Sequence, residues 1–139
     1  MERTIDWNDT LSFQSSMTNS SPALHGAVVE ASLTWMEIFV GLGSIVKDTE
    51  NINKIHKQFD HMLFGYSEVF SVPDSIFQEM ITTMVDSEMM EWIDSENVEL
   101  SDTGVDYLKK NWFIDRSVFT RTRAECETLA SRNAKGIYE

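Results

Sequence analysis

The chain has 139 residues, 42% of them hydrophobic: enough for one domain, or two small lobes sharing a core, and too apolar for a disordered chain. Its 23 acids against 11 bases leave a net charge of −12, which excludes general affinity for DNA, RNA or anionic lipid, since these need cationic contacts. The single cysteine, Cys126, excludes an internal disulfide and a thiolate zinc cluster and fits a reducing cytoplasm.

Residues 1–21 are polar, with Ile5, Trp7, Leu11 and Phe13 scattered rather than in a run, so no secretory signal is read. The Ser/Thr/Asn tract at 10–21 predicts a loop, and residues 1–21 together a flexible arm with Trp7 as its exposed anchor. Ser21 then precedes Pro22 as an N-cap before a first-turn proline. Leu24, Val28, Ala31, Trp35, Ile38, Leu42 and Ile45 follow at helical spacing and predict a long helix over 22–46, ending near Gly41 and Gly43. His25, Glu30 and Glu37 inside this most apolar window argue against a membrane span. Ile52, Ile55, Phe59, Met62, Leu63, Tyr66 and Phe70 predict a second helix after Asp48, broken at Val72-Pro73.

Asp74 or Ser75 opens a third helix with Ile76, Phe77, Met80, Ile81, Met84 and Val85 inward. Glu79 and Asp86 fall on its opposite face, with Thr82 and Thr83 between them. Two short runs follow, 90–93 and 98–100, separated by Asp94-Ser95-Glu96-Asn97, which reads as a hairpin turn. Ser101 or Asp102 caps a helix carrying Val105, Tyr107, Leu108 and Trp112, and a last helix spans about 115–133, closing near Gly136. The expected fold is mainly α: a single helical domain over 22–139 with a small two-stranded hairpin. It divides into a helical hairpin at 22–70, an α-β-β-α segment at 74–112 and a C-terminal helix at 113–139.

The segment 74–112, with Trp92-Ile93, the turn, and Leu100-Ser101-Asp102-Thr103-Gly104 leading into a helix, resembles the C-terminal half of a winged-helix domain. The resemblance implies a winged-helix-like lobe in which the helix before the wing supplies DNA contacts. Here that helix, Asp74 to Met90, carries Asp74, Glu79, Asp86 and Glu88 and no base, so phosphate approach is unfavourable. What the resemblance then implies is a lobe that binds protein.

The charge is concentrated. Residues 58–108 contain twelve acids and no lysine or arginine. Residues 1–57 sum to −3 and residues 109–139 to +3, so the middle carries all of the excess. Like charges at this density cost stability by self-repulsion and are relieved by docking on a basic surface. A face that merely solubilises the chain is the competing reading, but ordinary solvated faces interleave both signs. The candidate partner-binding residues are Asp74, Glu79, Asp86, Glu88, Glu91, Asp94, Glu96 and Glu99.

Other constellations carry less. His56 and His61 are five apart, not the four of a helical metal pair, and His56 with Asp60 reads as a structural local pair. Residues 94–105 fail as a calcium loop, because Glu99 stands where glycine must make the sharp turn. No nucleophile elbow, phosphate loop or dinucleotide fingerprint occurs, so no catalytic residue and no cofactor are expected. Carboxylate pairs such as Glu88/Glu91 would need a pocket to drive their pKa values apart. Glu125 and Glu127 beside Cys126 disfavour its thiolate. The tail bases Lys109, Lys110, Arg116, Arg121, Arg123, Arg132 and Lys135 are expected to fold back on the acidic middle, with Arg121, Arg123 and Arg132 as the pairing candidates.

The expected function is therefore a non-enzymatic, cytoplasmic protein that occludes a basic, nucleic-acid-binding protein partner. It would contact neither nucleic acid nor membrane. Phage or mobile-element inhibitors of the DNA-mimic, anti-CRISPR or anti-restriction type have this charge and size. The alternatives are a winged-helix transcription regulator and an immunity protein against a basic nuclease toxin.

Overall fold

In a computed structural model the described residues are 5–17, 28–46, 48–65, 70–111 and 117–134. They form, in chain order, β1 (Thr10–Gln14), β2 (Ser16–Met17), β3 (Glu30–Thr34), α1 (Trp35–Ile45), β4 (Glu50–Asn51) and α2 (Ile52–Phe64). There follow β5 (Phe70–Ser71), α3 (Asp74–Asp86), β6 (Met90–Trp92), β7 (Asn97–Leu100), α4 (Asp102–Asn111) and α5 (Ser117–Ala134). The protein is mainly α with some strands. The strands form three small antiparallel sheets, β1-β3, β2-β5 and β4-β7-β6.

The N-terminal third departs from expectation. The tract read as a loop contains β1, paired over its whole length with β3 from Thr10↔Thr34 to Gln14↔Glu30. The long helix expected over 22–46 begins only at Trp35. Residues 21–27, with the proposed Ser21 cap and Pro22, lie outside the described residues. Val28 and Ala31 do sit at helical spacing, but Val29, Ala31 and Leu33 alternate inward and the period of two wins. Ser12 Oγ donates to Ser32 Oγ at 3.0 Å across the pair. The start of α1 carries its own signal: Thr34 Oγ1 accepts from the Glu37 N–H (3.1 Å), and Glu37 Oε1 accepts from the Thr34 N–H (2.7 Å). This capping box satisfies two otherwise orphaned donors.

Trp7 is also not an exposed anchor. Its ring stacks on Tyr107 at 5.0 Å and tilts against Phe39 at 5.5 Å. The Trp7 and Asp9 carbonyls accept from the first N–H groups of α1, Met36 and Trp35. Gly41 and Gly43 lie inside α1 rather than at its end. A Cβ on Gly41 would come within 2.8 Å of the Phe59 ring, so the glycine lets α2 approach α1 closely. The buried cluster around this contact includes Phe13, Leu33, Phe39, Leu42, Phe59, Met80, Met84, Val98 and Phe119.

Beyond residue 50 expectation and structure converge. α2 ends at Phe64 with Gly65 at φ 71, six residues short of the expected run, and Phe70 belongs to β5. α3 opens at Asp74 as expected but closes at Asp86, four residues short of Met90, leaving Glu88 in the turn before β6. The hairpin turn and α4 fall where the turn residues and caps put them, and α5 opens near the expected residue. Trp112 and Gly136 lie outside the described residues. The expected two-stranded hairpin gains a third strand, because β4 pairs with β7 through Glu50↔Val98 and Asn51↔Asn97. The Ser101 hydroxyl accepts from the Gly104 N–H at 2.9 Å, and the backbone of Met89 presses on Gly104 so closely that a Cβ there would collide with its carbonyl oxygen.

Helix propensity alone makes Gly104→Ala stabilising by about 1 kcal/mol. The Met89 collision outweighs it, and urea unfolding should instead show a loss of about 1–3 kcal/mol. A gain in the unfolding midpoint would contradict the close approach of α4 to the α3–β6 turn.

Candidate functional site

The predicted acidic residues lie on two connected elements. α3 buries Phe77, Met80, Ile81 and Met84 and turns Asp74, Gln78, Glu79, Thr82 and Asp86 to solvent. Thr83, expected between Glu79 and Asp86 on that outer face, is buried with the apolar residues. At 1.5 Å per residue, Asp74 and Asp86 stand about 18 Å apart. The α3–β6 turn is a Schellman-type closure: the Met89 N–H donates to Met84 O and the Glu88 N–H to Val85 O. Glu88 holds the left-handed position at φ 65, where glycine is usual. An exposed charged residue thus occupies the turn between α3 and the hairpin.

The hairpin brings acids together. In the β6–β7 register Glu91 stands directly opposite Glu99, with Met90↔Leu100 and Trp92↔Val98 on either side. Like charges so placed repel, while Met90 and Val98 beneath them are buried. The Thr49 hydroxyl, just before β4, donates to Glu99 Oε2 at 3.4 Å. Asp94 has a different role from the other seven. Its Oδ1 accepts from the Glu96 and Asn97 N–H groups at 2.8 and 2.9 Å and from Asn97 Nδ2 at 2.9 Å. Bonds from Glu96 and Asn97 hold its carboxyl below the usual range and close the turn. Two residues absent from the sequence prediction share this tip: Trp92 is 39% exposed and Ile93 47%. Their place beside charged residues in a short run was readable, but their exposure depends on where the core ends.

Two described lysines pair with other acids. Lys54 pairs with Glu50 and Lys110 with Asp106, each at 3.0 Å, and neither acid is among the eight. Glu79, Glu91, Asp94, Glu96 and Glu99 form no ion pair with a described lysine or arginine. The tail folds back as expected, but onto α2, and Arg123 meets carbonyls rather than carboxylates. Its Nη2 lies 3.4 Å from both His61 O and Met62 O, at the C-terminal end of α2 where a cation is favoured. Arg121 lines a groove between the β1–β3 pair and α5, with Glu30 and Glu125. Arg116, Lys135 and the Arg132 side chain lie outside the described residues.

The expected His56/Asp60 pair is present and serves the position of α3. His56 Nε2 lies 2.8 Å from Val72 O, and Asp60 Oδ1 accepts from the Val72 N–H at 2.8 Å. Two side chains one turn apart on α2 thus hold both backbone polar groups of the residue that leads into α3. The His56 ring stacks on Phe77 at 4.2 Å, and its Nδ1 is 3.7 Å from Asp74 Oδ1. Burial pushes the Asp60 carboxyl up from 3.8 to about 6, against the Val72 bond and His56, which lower it. Burial likewise pushes the Cys126 thiol up to about 12, with Glu125 and Glu127 adding to it, so it is unreactive.

Among the described residues no group of three His, Cys, Asp or Glu side chains could hold a metal ion, and no helix is long and apolar enough to cross a membrane. Comparison with protein-family models, with curated proteins and with solved structures finds no match to the chain.

Asp60 makes stability depend on pH in a stated direction. The folded protein holds this proton up to about pH 6, whereas the unfolded chain releases it near 3.8. Its contribution is therefore full below pH 3.8 and lost as pH rises through 6. A shift of this size corresponds to at most about 3 kcal/mol, and local relaxation around a buried carboxyl brings the expectation to about 1–2 kcal/mol. Asp60→Asn, which keeps the Val72 bond without a charge, should be increasingly more stable than wild type between pH 4 and 6.5. Parallel stability curves across that range would show that Asp60 titrates normally.

Proposed function

We propose that the chain is a non-catalytic binding protein that lays α3 and the β6–β7 hairpin on a basic surface of a partner protein. The observation that carries this reading is Glu91 facing Glu99, neither of them in an ion pair with a described lysine or arginine. A protein selected only for solubility has no reason to keep two carboxylates opposed on neighbouring strands, where one lysine would stabilise the pair. A cationic partner turns that repulsion into attraction. Carboxylates carried along a helix and a hairpin can stand where phosphates would, so the preferred partner is one that handles nucleic acid. The biological form is an inhibitor from a phage or mobile element, of the anti-CRISPR or anti-restriction type, acting in the cytoplasm. An immunity protein against a basic nuclease toxin uses the same physics, and gene neighbourhood separates the two.

The order α1–β4–α2–α3–β6–β7, with β4 joined to β7, supports a winged-helix-like reading and extends it back from 74–112 to α1. This topology is the specific observation that favours a second reading, a transcription regulator. In that reading α3 would meet DNA, and its exposed Asp74, Glu79 and Asp86 oppose this. DNA contact would have to come from exposed Lys109, Lys110, Arg121 and Arg123 instead.

Two measurements test the proposal. The variant Glu79→Lys, Glu91→Lys, Glu96→Lys, Glu99→Lys should keep its circular dichroism and fail to retain the basic proteins that wild type captures from host lysate at low salt. Glu91→Lys alone, facing Glu99, should gain about 0.5–1 kcal/mol of stability while losing capture. If both variants capture the same proteins as wild type, the acidic face is a solubility surface only. Wild type should also show no saturable binding to random duplex DNA by anisotropy up to ~10⁻⁵ M, within the range of ordinary non-specific affinity. A saturable, sequence-dependent complex would instead establish the regulator.

A further inference from the structure

The tip of the β6–β7 hairpin presents two large apolar side chains in sequence, Trp92 and Ile93. Single exposed apolar residues are ordinary on a protein surface; a tryptophan that ends an edge strand, followed by an isoleucine that opens the turn, is less so. β6 has one strand partner, β7, among the described residues. The tip is also held rigid. The Asp94 carboxylate closes the turn through Glu96 and Asn97, and the Ile93 N–H donates to Asn97 O at 2.9 Å. At the base of the hairpin, the Ser101 N–H donates to Met89 O and the Ser101 hydroxyl to Glu88 O. A stiff aromatic loses little entropy when it is buried, which is why such residues dominate interface energetics.

The surrounding charge selects the occupant. Glu91, Asp94 and Glu96 adjoin the tip, all exposed. An anionic membrane and a nucleic acid are repelled by them. A second copy brings the same carboxylates and the same net charge of −12, so self-pairing along β6 is opposed too. A cationic protein surface is the complementary occupant. We infer that Trp92 and Ile93 insert into an apolar socket rimmed by lysine and arginine on a protein partner, with the carboxylates steering the approach. This rests on the acidic docking reading above and adds the apolar contact that gives it affinity. Steering sets the association rate, and desolvated apolar anchors set how long the complex lasts.

The test uses two fluorescent peptides of equal length and charge, one of lysine and glycine and one of lysine, leucine and phenylalanine, titrated into the full chain. Wild type should bind the apolar-containing peptide about tenfold more tightly. Both Trp92→Ala and Ile93→Ser should abolish that preference while leaving the salt dependence unchanged. Ile93→Ser is the safer variant for the fold, because its side chain is the more exposed, and circular dichroism checks both. Equal binding of the two peptides, or a preference that survives both variants, would overturn the apolar anchor and leave electrostatic docking standing. Failure of wild type to bind either peptide would overturn the docking reading itself. A wild-type dimer in sedimentation that Ile93→Ser dissolves would assign the tip to a second copy and also overturn the inference.

Discussion

The acidic surface depends on the hairpin beneath it being held to the core more strongly than its charges push it apart. Opposed like charges on neighbouring strands cost up to about 1 kcal/mol. Burial of a side chain such as Met90 or Val98 is worth about 1.5–3 kcal/mol each, and both are buried here. Ser101 ties the base of the hairpin to Met89 and Glu88, and Asp94 closes its tip. The apolar underside therefore wins, and the outer side is free to carry a charge pattern that would not hold a sheet by itself.

α3 is fixed by a different device with the same consequence. Val72 offers its N–H to Asp60 and its carbonyl to His56, so a non-helical residue is satisfied by side chains of α2 instead of by a neighbouring strand. Satisfying both polar groups at a buried residue avoids a cost of about 1–3 kcal/mol for each left unpaired. The clamp sets where α3 begins and which side faces out. The carboxyl that supplies half of it has a displaced pKa because it is taken from water to do so. Arg123, at the end of α2, places its own charge on backbone carbonyls and not on the acidic residues of the hairpin.

Legibility followed the range of the interaction. α2, α3, the β6–β7 turn and α4 are set by local periodicity, caps and turn residues, and these were readable from Phe59 or Phe77 spacing and from the Asp94-Ser95-Glu96-Asn97 turn. β1 and β3 were not, because a strand is completed by a partner about twenty residues away. Ser12 and Ser32 look like loop residues until they are seen bonded across that pair. Thr34 and Glu37 carry a capping-box spacing at the start of α1, but a helical repeat that runs through β3 by coincidence masks it. Trp7 looked exposed for the same reason: Tyr107, on which it stacks, is a hundred residues on.

The sequence by itself determined the charge, its confinement to residues 58–108 and the identity of the acids that α3 and the hairpin present. Charge is a property of residue type, and an amphipathic helix turns its polar side outward whatever it packs on. Only the tertiary structure decided which acids meet. Glu91 opposes Glu99 because of register, Asp94 is drawn into its own turn, and Glu88 sits in a strained closure. It also decided that Trp92 and Ile93 are partly exposed while Trp7 packs on Tyr107 and Phe39 is buried, since exposure depends on where the packed core stops and not on what a residue is.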